Sequence, residues 1–269
     1  MSEVGSDLLF AHIRDLPYFR GLLRATESRV YKGIHFEQPT LDLGCGDGHF
    51  AQATFRQTVN VGIDPKIKDL REARQRPIYQ LVSEGLGGGL PFPSMYFASA
   101  FSNSVLEHIP NPDEVLAELA RVLRPGGLFV FCVPNDKFLP SLWGARQLEQ
   151  IGLCKLADLY RKFFNKVSRH HTCEGIPAWT RRLDQAGFKV EKAWDIIPPA
   201  TFKAIELGHY FGLPSWIIRQ LTGRWNLVRH PWNFVLLVAW LQKYYVEPTP
   251  QPDGVYSFYV TRKREEKPL

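Results

Sequence analysis

The residues best placed to do chemistry form one short loop and one acid beyond it. Asp42-Leu43-Gly44-Cys45-Gly46-Asp47-Gly48 follows a short apolar run, and Asp64 stands twenty residues after Gly44 at the end of the next run. Glycines let backbone approach a ligand closely and tolerate positive φ. A helix starting behind such a loop offers unpaired N–H groups. An acid at the next strand end is positioned for two ribose hydroxyls. The combination points to a nucleoside ligand. A dinucleotide fingerprint reads G-x-G-x-x-G/A, whereas counting from Gly44 gives Gly46 and then His49. Asp47 would also face a pyrophosphate unfavourably. An acid-rich loop suits a cationic ligand without phosphates, such as S-adenosylmethionine with its sulfonium and ammonium.

Histidine supplies the catalytic candidates, His108 in LEHIP and His171 beside His170 in SRHHT. His108 either faces an acceptor or supports its loop. The pair at 170 and 171 either lies near a substrate or forms an exposed, hydrogen-bonded turn. Neither has a third partner at metal-ligand spacing, so no metal is expected. Cys45 reads as a small packing residue, because no base accompanies it to make a nucleophile.

The elements that must position these groups alternate. Thr40 to Leu43, Val59 to Ile63, Ile78 to Val82 and Phe97 to Phe101 read as strands, with a helix from about His49 to Arg56. The next helix has Asn111 as N-cap, Pro112 at its first position and Glu114 three residues after the cap. Val115, Leu116, Leu119, Val122 and Leu123 form its apolar face, and Pro125-Gly126-Gly127 stops it. Leu128 to Val133 is a nearly all-apolar strand of the kind a parallel sheet buries. Before this unit, residues 8–32 suggest two short helices broken by Pro17 and Gly21. After it, residues 136–168 look helical, 178–187 form a helix, and Phe188 to Trp194 and Val255 to Thr261 are the last strands. This rhythm predicts a doubly wound α/β sheet.

The 269 residues exceed an average domain but suit one α/β domain with insertions. Hydrophobic residues at 45% and charged residues at 22% exclude global disorder. Four scattered cysteines argue against a disulfide scaffold or structural zinc and suggest a reducing compartment. The first residues lack the form of a secretory signal, and no run of about 18 apolar residues exists. A net charge of +6 permits anionic partners without requiring nucleic acid.

Taken in order, LDLGCGDGHF, the acid of VGIDP, LPFP, SNSVLEHI and ARVLRPGG resemble the successive motifs of class I S-adenosylmethionine-dependent methyltransferases. The nearest subgroup is the type 11 branch, which includes quinone-biosynthesis methyltransferases. The resemblance covers residues 38–135 closely and 169–195 loosely. It implies a seven-stranded, Rossmann-like, three-layer α/β/α fold with S-adenosylmethionine as cofactor. By position, Asp42 and the backbone of Gly44, Cys45, Gly46 and Gly48 would hold the methionine end, and Asp64 the ribose. Glu84, before the glycine-rich stretch Gly85 to Gly89, would meet the adenine amino group. Asn103 and Ser104 would line the sulfonium side. In similar sequences the region of His170 and His171 closes over the substrate. One departure is Phe97-Ala98 where the family usually has Phe-Asp, an acid that is normally structural.

Residues 196–246 exceed what a minimal version of the fold needs. They hold Trp216, Trp225, Trp232 and Trp240, and Lys203, Arg219, Arg224, Arg229 and Lys243 against Glu206 alone. Aromatic plus basic composition fits an interfacial membrane contact, an apolar pocket or a stacking platform for bases, but for most of the tryptophans the favoured reading is a helical subdomain that buries them. The expectation is one domain over 1–269, with a core near 38–135, 175–195 and 254–264. A helical cap at 1–35 and lids at 136–172 and 196–250 would complete it. The expected function is a cytoplasmic enzyme, peripheral to the inner membrane face, that methylates oxygen or carbon of a small hydrophobic or lipid-like acceptor. A cofactor-binding regulator without turnover is the alternative. A nucleic-acid methyltransferase fits less well, since Ser102-Asn103-Ser104-Val105 stands where such enzymes carry an Asn/Asp-Pro-Pro-aromatic tetrad.

Overall fold

Period-two burial builds the sheet. In the strand from Leu123 to Pro134, Val130 and Cys132 face one hydrophobic cluster while Phe129, Phe131 and Val133 face another. Each face therefore needs its own helical layer. The structure is a computed structural model that describes residues 3–211, 220–222, 231–245 and 249–265. Its strands are β1 (Thr40–Leu43), β2 (Val59–Asp64), β3 (Tyr79–Glu84), β4 (Phe97–Asn103), β5 (Leu123–Pro134), β6 (Phe188–Ile196) and β7 (Tyr256–Lys263). They form one seven-stranded sheet in the order β3-β2-β1-β4-β5-β7-β6. The first five are parallel, and β7 runs antiparallel to both β5 and β6. The order reverses between β1 and β4, where an open α/β sheet places its ligand crevice.

One face carries α5 (Pro112–Val122) and α8 (Ile176–Gln185). The expected face of α5 is buried at Val115, Leu116, Leu119 and Val122, and α8 inserts Trp179 and Leu183. Each such side chain stabilises the fold by about 1.5–3 kcal/mol. The other face is covered from both ends of the chain. It packs α1 (Glu3–Asp15), α2 (Tyr18–Tyr31), α3 (His49–Thr54) and α9 (Pro199–Phe211). Gly21 does not break α2: an added Cβ there would sit 3.0 Å from Ile13 Cα, so glycine allows α1 and α2 to approach.

Other local expectations shift. The helix α4 (Ile67–Ala73) joins β2 to β3 and buries only Leu70 and Ala73, too few for periodicity to announce it. Asn111 makes no side-chain cap; its Nδ2 donates instead to Glu114 Oε1 at 2.7 Å. Capping would need Asn111 Oδ1 to accept a backbone N–H of the first turn, and that bond is not formed. Pro125-Gly126-Gly127 does not stop α5, which ends at Val122; these residues already belong to β5, where the register slips between Phe97 and Ser99.

The helices α6 (Trp143–Gln150) and α7 (Cys154–Ser168) follow β5, and α10 (Val235–Leu241) precedes β7. The one acid of the long insertion, Glu206 on α9, is buried. It accepts from Trp143 N (2.6 Å), Gly144 N (2.9 Å) and the Tyr160 hydroxyl (2.6 Å). Those N–H groups open α6 and have no intrahelical partner, so a carboxylate suits them. Trp232 and Trp240 are 68% and 42% exposed, contrary to the expectation of buried tryptophans. Trp216, Trp225, Arg219, Arg224 and Arg229 lie outside the described residues. No described helix is long and apolar enough to cross a membrane.

Candidate active site

The carboxyl ends of β1, β2 and β4 converge on a cavity of about 1520 Å³. At β1 the chain turns sharply. Gly44 has φ 81°, and an added Cβ would lie 2.5 Å from the methyls of Val105. Only glycine meets both demands. The N–H groups of Gly44 and Cys45 both donate to Ile63 O (2.8 and 3.0 Å), which fixes the loop against β2. Asp64 is oriented by two backbone donors, Gly46 N to Oδ2 (3.0 Å) and Lys66 N to Oδ1 (2.9 Å). Each oxygen keeps a further acceptor site.

Asp42 is buried and accepts from the Tyr79 hydroxyl at 2.6 Å. Burial pushes its carboxyl up from 3.8 to about 7, and Tyr79 opposes this only partly. It makes no ion pair among the described residues. The Cys45 thiol is also driven upward by burial and by Asp42, so a thiolate is disfavoured. Its sulfur packs 3.0 Å from where a Gly62 Cβ would be, which fits the packing role.

Asn103 and Ser104 end β4 beside a group from α2. Asn103 Nδ2 donates to Glu27 Oε2 (2.8 Å) and Ser104 Oγ to Glu27 Oε1 (2.7 Å). Arg24 Nη1 also donates to Glu27 Oε2, at 2.8 Å. Glu27 is fully buried and held on three sides, so it locks the cap helix to the sheet edge. Asn103 Oδ1 is left buried without a donor among the described residues.

After β4 a 3-10 turn, Leu106–His108, carries the next group. Glu107 is buried, and burial raises its carboxyl to about 8. Its carbonyl accepts from His171 N (2.7 Å) and Thr172 N (3.2 Å), which joins this turn to the segment after α7. Burial lowers His108, and burial with His108 nearby lowers His170 to about 3.

The cavity thus gathers Asp42, Gly44, Cys45, Gly46, Asp64, Asn103, Ser104, His108, His170 and His171. Gly48 and Glu84 are not among its lining residues. Gly48 turns into α3 with φ 74°, and Glu84 is exposed opposite Asp64 in the β2–β3 register. Gly85 to Gly89 line the wall beyond it. Away from the glycine loop the wall gains apolar groups, Phe19 and Leu23 from α2, Phe164 from α7, Phe202 and Ile205 from α9, and Phe138, beside Arg20, Arg24 and His209.

Sequence reasoning missed Arg24, Glu27, Tyr79 and Glu107. The i, i+3 pair Arg24 and Glu27 falls between the buried positions Leu22, Ala25 and Ser28, and such opposite charges inside an apolar stripe were a usable signal. Glu107 stood beside His108 within a motif already singled out. Tyr79 had no local signal.

Comparison with known proteins bears on this geometry. The family described as "Methyltransferase domain" matches residues 41–131, the stretch that carries the glycine loop, Asp64 and Glu107. An uncharacterized protein of Methanocaldococcus jannaschii is 30% identical over 167 residues, covering 62% of this chain and 70% of its own. An uncharacterized methyltransferase of Mycobacterium sp. (strain KMS) is 34% identical over 91 residues, covering 34% of this chain and 36% of its own. The chain spans 39% of a Streptomyces fradiae transposon protein at 31% identity, across 45% of its own length. Several of the curated relatives are thus matched over well under two thirds of their length. Among solved structures, the [4+2]-cyclase SpnF superposes with TM-score 0.56 at 19% identity, covering 90% of this chain and 81% of that one. A Thermotoga maritima S-adenosylmethionine-dependent methyltransferase, titled a possible histamine N-methyltransferase, gives 0.55 at 15%, covering 92% and 93%. An S-adenosylmethionine-dependent methyltransferase of Mesorhizobium loti gives 0.53 at 17%, covering 90% and 99%. At these identities the structural likeness is one of fold.

Proposed function

Because the chain belongs to the class I S-adenosylmethionine-dependent methyltransferases, in the type 11 branch, we propose that it methylates a small, hydrophobic or lipid-like acceptor at oxygen or carbon. S-adenosylmethionine is the cofactor of this family, and S-adenosylhomocysteine would be released. The residues present fit such a cofactor. Asp42 is a buried acid without an ion-pair partner among the described residues, Asn103 Oδ1 is a buried acceptor without a donor, and Gly44 lets backbone run close to the cavity. A ligand carrying both an ammonium and a sulfonium answers the two acceptors. When bound, it supplies an electrophilic methyl group.

The chain's own groups would do the rest. Asp42 and the backbone of Gly44 to Gly46 would hold the amino-acid end. Asp64, set by its two backbone donors, would take the ribose hydroxyls. The adenine side belongs to the wall formed by Gly85 to Gly89, with Glu84 at its rim. Arg24, Glu27, Asn103 and Ser104 would stiffen the junction between cofactor and acceptor, because near-attack geometry tolerates little drift. His108 and His171 remain the proposed acid–base candidates.

The observation that carries the acceptor class is the continuity of the cavity from the glycine loop to the aromatic wall of Phe138, Phe164 and Phe202. An acceptor with an apolar body would match that wall, and Arg20, Arg24 and His209 beside it would suit a polar group on the same molecule. Exposed Trp232, Val235, Leu236 and Trp240 on and before α10 support access from a membrane surface. In this reading the whole chain is one domain, with 1–35 as cap and the two insertions as lids.

The test is transfer of a labelled methyl group into a cell extract, partitioned between organic solvent, water and precipitated macromolecule. Organic label that Asp64→Ala abolishes supports the reading. Label confined to precipitate or water overturns the lipophilic acceptor. Tight cofactor binding with no label anywhere favours the regulator without turnover.

A further inference from the structure

Glu107, His108 and His170 each offer a ligand atom, and these atoms all lie within 4.8 Å of one another. All three residues line the cavity. The Glu107 side chain is 1% exposed, and its Oε2 has no hydrogen-bond partner among the described residues. A buried carboxyl oxygen without a partner is costly in either protonation state, and nothing in the cofactor reading uses it.

His108 is held in a form that can ligate, while His170 Nδ1 lies 3.6 Å from Cys173 Sγ. His108 Nδ1 lies 3.0 Å from Arg169 O. A carbonyl only accepts, so Nδ1 carries the proton and Nε2 presents its lone pair. That Nε2 is 3.8 Å from Glu107 Oε1. A backbone carbonyl that fixes the tautomer of an imidazole is the usual support of a metal-ligating histidine. Arg169 reaches this place because it caps α7 in the left-handed region, with φ 59°. The same turn delivers His170, whose ring packs edge-on to Phe138 (4.9 Å) and beside His108 (5.2 Å).

We propose that Glu107, His108 and His170 bind a divalent cation of the zinc class, which takes His108 out of the acid–base role and leaves that role to His171. One carboxylate and two imidazoles suit zinc and its first-row neighbours, whereas magnesium and calcium prefer all-oxygen sets. Zinc bonds near 2.1 Å hold tetrahedral ligands about 3.4 Å apart, somewhat closer than the 4.8 Å within which these atoms lie. Three protein ligands leave a coordination position open, the pattern of reactive rather than structural sites. All three ligand residues line the cavity, so such a position would be open to a molecule held there. The cation would therefore hold an acceptor through an oxygen atom, which narrows the substrate to a hydroxyl-bearing molecule; this last step rests on the methyl-transfer reading.

The experiment is calorimetric titration of the metal-stripped full chain with zinc chloride, with S-adenosylhomocysteine titrated in parallel. The expected result is one zinc per chain, with affinity at least about tenfold weaker in Glu107→Gln and in His170→Ala. No zinc binding by the parent chain overturns the proposal, and so does equal binding by both variants. Should a variant lose its native circular dichroism, the visible spectrum of the cobalt(II)-loaded parent decides. Nitrogen and oxygen ligation supports the trio, and a thiolate charge-transfer band overturns it by pointing to a cysteine. S-adenosylhomocysteine binding without zinc binding removes the cation and leaves the cofactor reading. Zinc binding without S-adenosylhomocysteine binding does the reverse.

Discussion

Replacing Asp42 with asparagine should reveal a proton that cofactor binding displaces. Burial raises the Asp42 carboxyl from 3.8 to about 7 in the ligand-free protein, a penalty of about 4 kcal/mol on its charged form. A cationic ligand seated against it needs the carboxylate, so binding below pH 7 must expel the proton. The ionised fraction then falls from about nine tenths at pH 8 to about one tenth at pH 6. Affinity should drop roughly tenfold across that interval, because it tracks this fraction. The assay is calorimetry with S-adenosylhomocysteine at pH 6, 7 and 8, for the parent and for Asp42→Asn. Dividing one affinity by the other cancels the ligand's own amine titration. A parent-to-variant ratio constant within twofold from pH 6 to 8 would refute the reasoning: either Asp42 is already ionised in the free protein, or the ligand's cation is not beside it.

Four further outcomes are expected. For the ligand-free chain, the folded state holds a proton on Asp42 that the unfolded state releases near 3.8. Stability should therefore fall as pH rises from about 4 to about 7, by up to roughly 4 kcal/mol, and Asp42→Asn should flatten this slope in urea titrations. Asp64→Ala should weaken S-adenosylhomocysteine binding by about 1.5–3 kcal/mol, the scale for losing hydrogen bonds to a charged group; unchanged calorimetric affinity would remove it from the ribose site. Glu206→Ala strands two α6 N–H groups and the Tyr160 hydroxyl, so urea unfolding should show a loss on the order of 2–4 kcal/mol, and a loss below about 0.5 would make that anchor irrelevant. If the exposed strip meets lipid, Leu236→Asp should abolish flotation with anionic vesicles, and a parent chain that never floats would disprove the contact.

The sequence by itself determined the parts whose physics is local. A strand read by its apolar run ends where a glycine loop begins, so Gly44, Gly46 and Asp64 could be set at one sheet edge without coordinates. The apolar face of α5 and the near-continuous apolar run of β5 followed from period and propensity in the same way. The cap of α5 did not: Asn111 Oδ1 accepts no first-turn N–H, and its Nδ2 donates to Glu114.

Only the tertiary structure decided what lies across from these elements. Glu27 became part of the site because α2 docks on the end of β4, and a helix alone cannot say what its buried face will meet. Glu206 became an anchor because α9 crosses the start of α6. The Glu107, His108 and His170 group joins residues more than sixty apart through a left-handed turn at Arg169, a backbone state that no residue type there announces. Periodicity orders neighbours along the chain; the distances on which ligation and acid–base chemistry depend are set by packing between elements far apart in it.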